Sequence, residues 1–276
     1  VTEWTSGVNI VAEQFRIASG ESIADLEITD NGYSIEARVT AEKLVIQADG
    51  DVVFRPHPGQ IDECVFPEEK GVEIITTVGP GKFVSPYYDS MVAQLVVHAE
   101  SRDAAADKLI DYLSRVVITG ICTNIPLLRM ILADETFRKG IYDTNYLPEM
   151  LQRVDVETLI NEIESNSGAK GESIDSNTVR IDGTDELKVL APATAIFYSA
   201  PSPSEPEYVA VGQKIGLTET LCQLEAMKIF NPLTLKDFNL DGVVYDPSRS
   251  FQVTRVNISN GQQVNVGDLL FVVKPV

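Results

Sequence analysis

Glu225-Ala226-Met227-Lys228-Ile229 lies between two strand-like runs, Thr220-Leu-Cys-Gln-Leu224 before it and Phe230-Asn-Pro-Leu-Thr-Leu235 after it. Two such runs joined by so short a link predict a hairpin. The turn then puts Lys228 at an exposed tip, held by rigid strands, with its amine in solvent. A lone lysine at such a place is ordinarily a charge that keeps an edge strand soluble.

A repeat surrounds this tip. Val211-Gly-Gln-Lys-Ile-Gly-Leu-Thr-Glu-Thr-Leu221 returns as Asn260-Gly-Gln-Gln-Val-Asn-Val-Gly-Asp-Leu-Leu270. Gly212 matches Gly261, Gln213 matches Gln262, Ile215 matches Val264, and Leu221 matches Leu270. A fixed internal repeat signals one supersecondary unit used twice. Two short hairpin units can pack face to face as a flattened all-β barrel that buries both apolar faces. Lys228 closes the first copy.

On these residues the segment resembles the biotinyl (biotin carboxyl carrier) domain of biotin-dependent carboxylases. Ala191-Pro-Ala-Thr-Ala-Ile-Phe-Tyr198 resembles that domain's opening strand, and Ala200-Pro-Ser-Pro-Ser-Glu-Pro206 its protruding thumb. The resemblance implies a barrel-sandwich hybrid over residues 189–276. It also implies biotin in amide linkage to Lys228, with Glu225, Ala226 and Met227 as the surrounding motif. Lipoyl domains share the fold and give the alternative, a carrier domain of a 2-oxoacid dehydrogenase complex. They usually carry Asp-Lys at the tip, where this chain has Met227-Lys228.

The whole chain has 276 residues, room for one to three domains. Its net charge of −19 argues against nucleic acid or an anionic membrane as a partner. Cys64, Cys122 and Cys222 have neither metal-ligand spacing nor a disulfide framework, and only two histidines are present. No apolar run approaches the roughly 18 residues of a membrane-spanning helix, and no signal peptide opens the chain. These features suit a cytoplasmic protein, or a mitochondrial-matrix one in a eukaryote. The chain opens on Val1 inside a dense helical pattern, as expected of a piece of a longer protein.

Residues 1 to about 20 predict one helix with an apolar stripe of Val8, Val11, Ala12, Phe15 and Ala18. Asn31-Gly32 turns into an alternating strand, Tyr33–Val39. Strand-like runs follow at 72–76 and 91–97, then helical patterns at 102–117 and 124–133. Strands followed by helices suggest an α+β unit.

This part resembles a second family. Val1-Thr-Glu-Trp-Thr-Ser-Gly-Val8, Tyr33-Ser-Ile-Glu-Ala-Arg38, Arg55-Pro-His-Pro-Gly59, Ser85-Pro-Tyr-Tyr-Asp-Ser-Met91 and Thr123-Asn-Ile-Pro126 are similar, in order, to the C-terminal subdomain of biotin carboxylase. The resemblance covers residues 1–152. It implies that the ATP-grasp part, with the ATP and Mg²⁺ groups, lies upstream, and that this chain holds no metal. By it, Arg38 holds bicarbonate and the biotin ureido oxygen. A guanidinium suits that task, being a permanent, directional counter-charge to the negative charge that develops there. Tyr87, Tyr88 and Asp89 would support the site.

Together the resemblances imply a ligase, the biotin-carrying subunit of an acyl-CoA carboxylase. Its expected partners are a carboxyltransferase subunit, a biotin protein ligase and an acyl-CoA as final acceptor. Homo-oligomerisation through the biotin carboxylase part is also implied. Two stretches depart from the families' patterns, at 41–53 and at 237–254. Residues 153–188 join the two units. A short helix is expected near 154–164, with Val156, Leu159, Ile160 and Ile163 on one face. A Gly-, Ser- and Asn-containing tether follows, suited to a carrier that visits two sites.

Overall fold

The computed structural model describes residues 1–47, 50–168, 178–180, 184–238, 240 and 248–276. The chain opens with two helices, α1 (Thr2–Ser6) and α2 (Ile10–Ala18), where the periodicity predicts one. Gly7 divides them. Its left-handed backbone, at φ 72°, ends α1 and turns its N–H onto the carbonyl of Glu3. Asn9 then caps α2, its side chain accepting from the Ala12 N–H at 2.9 Å. Neither helix buries a residue, so the expected apolar stripe lies open; Phe15 is 72% exposed.

Among the described residues eight strands follow: β1 (Tyr33–Thr40), β2 (Glu42–Ile46), β3 (Val52–Pro56), β4 (Gly59–Gln60), β5 (Cys64–Val65), β6 (Val72–Thr76), β7 (Phe83–Val84) and β8 (Met91–Ala99). β1, β8 and β6 form an antiparallel sheet with β8 in the centre. The helix α3 (Arg102–Arg115) packs on this sheet. Ser101 caps it at 3.1 Å, and Ala105, Ala106, Leu109, Tyr112 and Leu113 are buried along it. β9 (Val117–Ile118) pairs with β5, and α4 (Ile125–Ala133), α5 (Glu135–Lys139) and α6 (Tyr146–Arg153) follow. Pro126 sits in the first turn of α4, where a missing N–H leaves no bond unmade.

The departure at 41–53 is the β2–β3 hairpin. Its apolar residues have a purpose: Leu44, Val52 and Phe54 share a core with Cys122, Leu127, Leu159 and Ile163. The last two belong to α7 (Val156–Ser167), which lies within the joining segment. Asp155 caps α7 by accepting from the Thr158 N–H at 3.1 Å, and Gly168 ends it at φ 57°. The Gly120 N–H, donating to the Ser167 carbonyl at 2.7 Å, fastens its far end. The more polar stretch read as a tether falls largely at 169–177 and 181–183, outside the described residues.

Among the described residues the second unit has nine strands, β10 (Thr178–Arg180), β11 (Leu187–Leu190), β12 (Ala195–Tyr198), β13 (Lys214–Gly216), β14 (Thr220–Ala226), β15 (Ile229–Thr234), β16 (Ser250–Val256), β17 (Gln263–Val264) and β18 (Leu269–Pro275). They make two antiparallel sheets, β10-β11-β18-β16-β13 and β15-β14-β12-β17. One core draws on both, and the Phe197 and Phe271 rings meet across it at 5.8 Å.

The sequence repeat is a repeat of hydrogen bonds, in which each copy exchanges a pair of bonds with one strand residue outside it. Gly212 donates to the Val253 carbonyl at 2.7 Å, and Val253 donates back to Gln213 at 2.9 Å. Gly261 and Gln262 make the same pair of bonds with Phe197, at 2.8 and 2.9 Å. Each glycine has positive φ, 91° and 78°, which explains the residue type. The middle of the departure at 237–254, residues 241–247, lies outside the described residues.

Two glycines separate backbone strain from crowding. Gly50 and Gly120 both have φ 90°, but a Cβ on Gly50 meets nothing within 4 Å, whereas one on Gly120 lies 2.2 Å from the Gln60 carbonyl oxygen. Gly50→Ala should cost about 1 kcal/mol of stability and Gly120→Ala about 3 kcal/mol or more. Chemical denaturation of the two variants checks the difference.

Candidate functional site

β14 and β15 pair as far as Ala226 opposite Ile229, leaving Met227-Lys228 as a two-residue loop. Both loop residues are left-handed, with φ 53° and 62°. A two-residue hairpin loop demands such a backbone, and Asn-Gly usually supplies it. Here neither residue is glycine, at a cost of about 1–2 kcal/mol each. The loop sends the two side chains to opposite fates. Lys228 is exposed, while Met227 is 1% exposed and joins the core of the first unit.

Behind the tip, Ala226 is buried, and Glu225 accepts a hydrogen bond from the Tyr198 hydroxyl at 2.7 Å. That bond and the carboxylate's charge raise the tyrosine's pKa. The tip meets the Ser85–Asp89 loop, where the Met227 N–H donates to the Pro86 carbonyl. Tyr87, next in the loop, donates from its hydroxyl to Gln263 in β17 at 2.5 Å. Tyr88 is 71% exposed, and Asp89 accepts from the Met91 N–H at 2.8 Å, a turn bond. The sequence reading assigned these three a supporting place. The structure puts Tyr87 at the contact between the units.

Arg38 stands on β1 opposite Gln94, on the exposed face of the sheet, since Ala37 and Val39 on either side are buried. Its Nε donates to Glu36 at 2.7 Å, and Gln94 donates to the same carboxylate at 3.3 Å. The Glu36 bond raises the guanidinium's pKa further, with a smaller contribution from Asp89. The β2–β3 hairpin leaves the Arg38 side chain 69% exposed. The Ser85–Asp89 loop therefore touches the Lys228 tip at Pro86 and brings Asp89's charge to bear on Arg38.

Three residues at a second contact carry no such expectation from sequence. Asp237, in the short turn Leu235–Asp237, accepts from Arg55 of β3 at 2.8 Å and from the Gln47 side-chain amide. Its other oxygen accepts from the Thr234 N–H and hydroxyl at 2.7 and 2.9 Å. The side chains of Arg55 and Asp237 are 10% and 2% exposed. Thr234-Leu-Lys-Asp237 has the spacing of a capping box, so sequence could reveal the cap but not the arginine 182 positions away.

Residues 36–149 match the family described as biotin carboxylase C-terminal domain. That match spans well under half of the chain. Over 153 residues the chain is 38% identical to the biotin carboxylase of Haemophilus influenzae, covering 55% of this chain and 33% of that protein. It is 35% identical over 154 residues to the mitochondrial propionyl-CoA carboxylase alpha chain of Caenorhabditis briggsae, covering 54% and 20%. These relatives are ligases. The structure of a single-chain, multi-domain long-chain acyl-CoA carboxylase aligns over 100% of this chain and 26% of its own, at 26% identity and TM-score 0.51. The chain thus spans about a third or less of the length of these proteins. Among the described residues no helix is long and apolar enough to cross a membrane, and no three His, Cys, Asp or Glu side chains could hold a metal ion.

Inside the stretch that matches this family, His57 is held away from its ordinary titration. Burial, then the charge of Lys43, lowers its pKa to about 4, and its Nδ1 accepts the Cys122 N–H at 3.1 Å. An unfolded histidine takes a proton near pH 6.5, so the folded state is penalised below that value. Stability should be complete above about pH 6.5 and fall by about 2–3 kcal/mol as pH drops to 4. His57→Asn, which retains an acceptor, should flatten this part of a denaturation-against-pH profile.

Proposed function

We propose that this chain is the biotin-carrying part of an acyl-CoA carboxylase, with biotin amide-linked to the Lys228 Nζ. One observation carries the reading: Lys228 is the exposed residue of a two-residue hairpin tip, on a two-sheet unit that follows a stretch matching the biotin carboxylase C-terminal domain family in the same chain. The residues fit the group. The lysine side chain is free to be acylated, while Ala226 and Met227 beside it are anchored by burial. When bound, biotin carries a carboxyl group between an ATP- and bicarbonate-dependent site and a carboxyltransferase. The second unit is then a biotinyl barrel, and a biotin protein ligase is the partner that loads it.

Arg38 belongs to the same proposal. Exposed and aligned by Glu36, it presents a guanidinium on the sheet face beside the loop that meets the tip. Such a group stabilises developing negative charge on a carbonyl-type oxygen.

Co-expression with a biotin protein ligase, followed by a streptavidin blot and intact mass, tests the carrier role. Wild type should gain one biotinyl adduct and Lys228→Arg none. A lipoyl adduct would move the chain to the 2-oxoacid dehydrogenase class, and label surviving Lys228→Arg would place the biotin elsewhere. With the upstream ATP-binding part restored, Arg38→Ala should lower biotin carboxylation roughly 10²–10³-fold. Arg38→Lys should rescue poorly, because a point charge lacks the two-pronged contact.

A further inference from the structure

The two departures at 41–53 and 237–254 meet. The β2–β3 hairpin supplies Gln47 and Arg55; the Leu235–Asp237 turn supplies the carboxylate between them. The geometry points to a clasp: the hairpin grips Asp237 and holds the second unit docked, with the Lys228 tip seated on the Ser85–Asp89 loop. Its use in positioning a carrier rests on the reading above, but the clasp itself requires no biotin.

Burial makes the case. A carboxylate 2% exposed is tolerated only when its lone pairs are filled, and Asp237 accepts from Arg55, Gln47 and twice from Thr234. Two of those four donors come from the other unit. The gripping arm is itself anchored, because the hairpin shares its core with α4 and α7. Release would leave Asp237 without half of its partners and Arg55 without its carboxylate. Met227 would lose the core it is buried in, and Tyr87 its bond to Gln263. The clasp and the tip contact are therefore parts of one docked state.

The Met227 amide reports that state. It sits in the hairpin loop and bonds outside its own unit, to the Pro86 carbonyl. Amide exchange on the unmodified 276-residue chain should show Met227 protected, along with the paired amides of β14 and β15. Arg55→Leu leaves the buried carboxylate short of its counter-charge and should reduce Met227 protection by roughly 10²-fold or more. The β14–β15 amides should keep theirs, showing the second unit still folded. Gln47→Ala removes one neutral donor near the hairpin's end and should reduce Met227 protection several-fold; it serves if Arg55→Leu unfolds the first unit. The Arg55→Leu/Asp237→Asn pair should lose less than the sum of the single changes, because the unpaired charge is gone. A Met227 amide that exchanges freely in wild type overturns the clasp. So does undiminished protection in a folded Arg55→Leu or Gln47→Ala chain. Failure of the biotin label leaves this measurement untouched, and a freely exchanging tip leaves Lys228 free to be labelled.

Discussion

The left-handed pair Met227-Lys228 is the constraint on which the placement of the tip depends. Two consecutive non-glycine residues at φ 53° and 62° are unfavourable in isolation. They persist because the strands on either side are fixed. Leu221, Cys222, Leu224 and Ala226 of β14 are buried in the shared core, and β12 bonds the same strand along its other edge. A floppy loop could relax the strain by swinging the lysine back toward the sheet. A loop held this way keeps the amine projecting and gives Met227 one direction only, into the neighbouring unit.

Much of this was legible because it is local. The short link between two apolar runs gives the hairpin, and matched Gly-Gln pairs give two equivalent turns. The alternation of Tyr33–Val39 gives the strand that carries Arg38. The ends of these elements follow from neighbours within a few residues, as at Ser101 on α3 and Asp155 on α7. The first helix shows the limit of the same reasoning. Its apolar stripe is sound at period 3.6, yet Gly7 alone splits it, and a single residue in left-handed backbone outweighs the summed propensity of a dozen.

What sequence did not disclose is non-local. Nothing near Arg55 marks it as a buried ion-pair partner, since Arg-Pro-His-Pro-Gly reads as an exposed loop. Asp237 reads as a helix cap, and that it also takes Arg55 and Gln47 depends on how two separate units meet. The β2–β3 hairpin is rich in apolar residues, and that richness was the signal. Leu44, Val52 and Phe54 needed a cover, and α7, from the segment that joins the units, provides it. The joining segment is thus partly structural support for the arm that grips the other unit.

A carrier that must reach two sites sets opposing demands on its docked state. A large, dry, apolar contact would hold the tip in place but would release it rarely. A tether alone would release it readily and select no orientation, because effective concentration has no direction. A buried ion pair satisfies both demands. Its Coulomb attraction roughly offsets the desolvation of the two charges, so it adds little net affinity. Misplacement leaves a buried charge unpaired, so only one geometry is acceptable. On the proposed reading, Arg55 and Asp237 choose where Lys228 sits, and Met227 with its single backbone bond adds a modest attraction. The docked and released states are then close enough in free energy for a partner at the second site to shift the balance by its own binding.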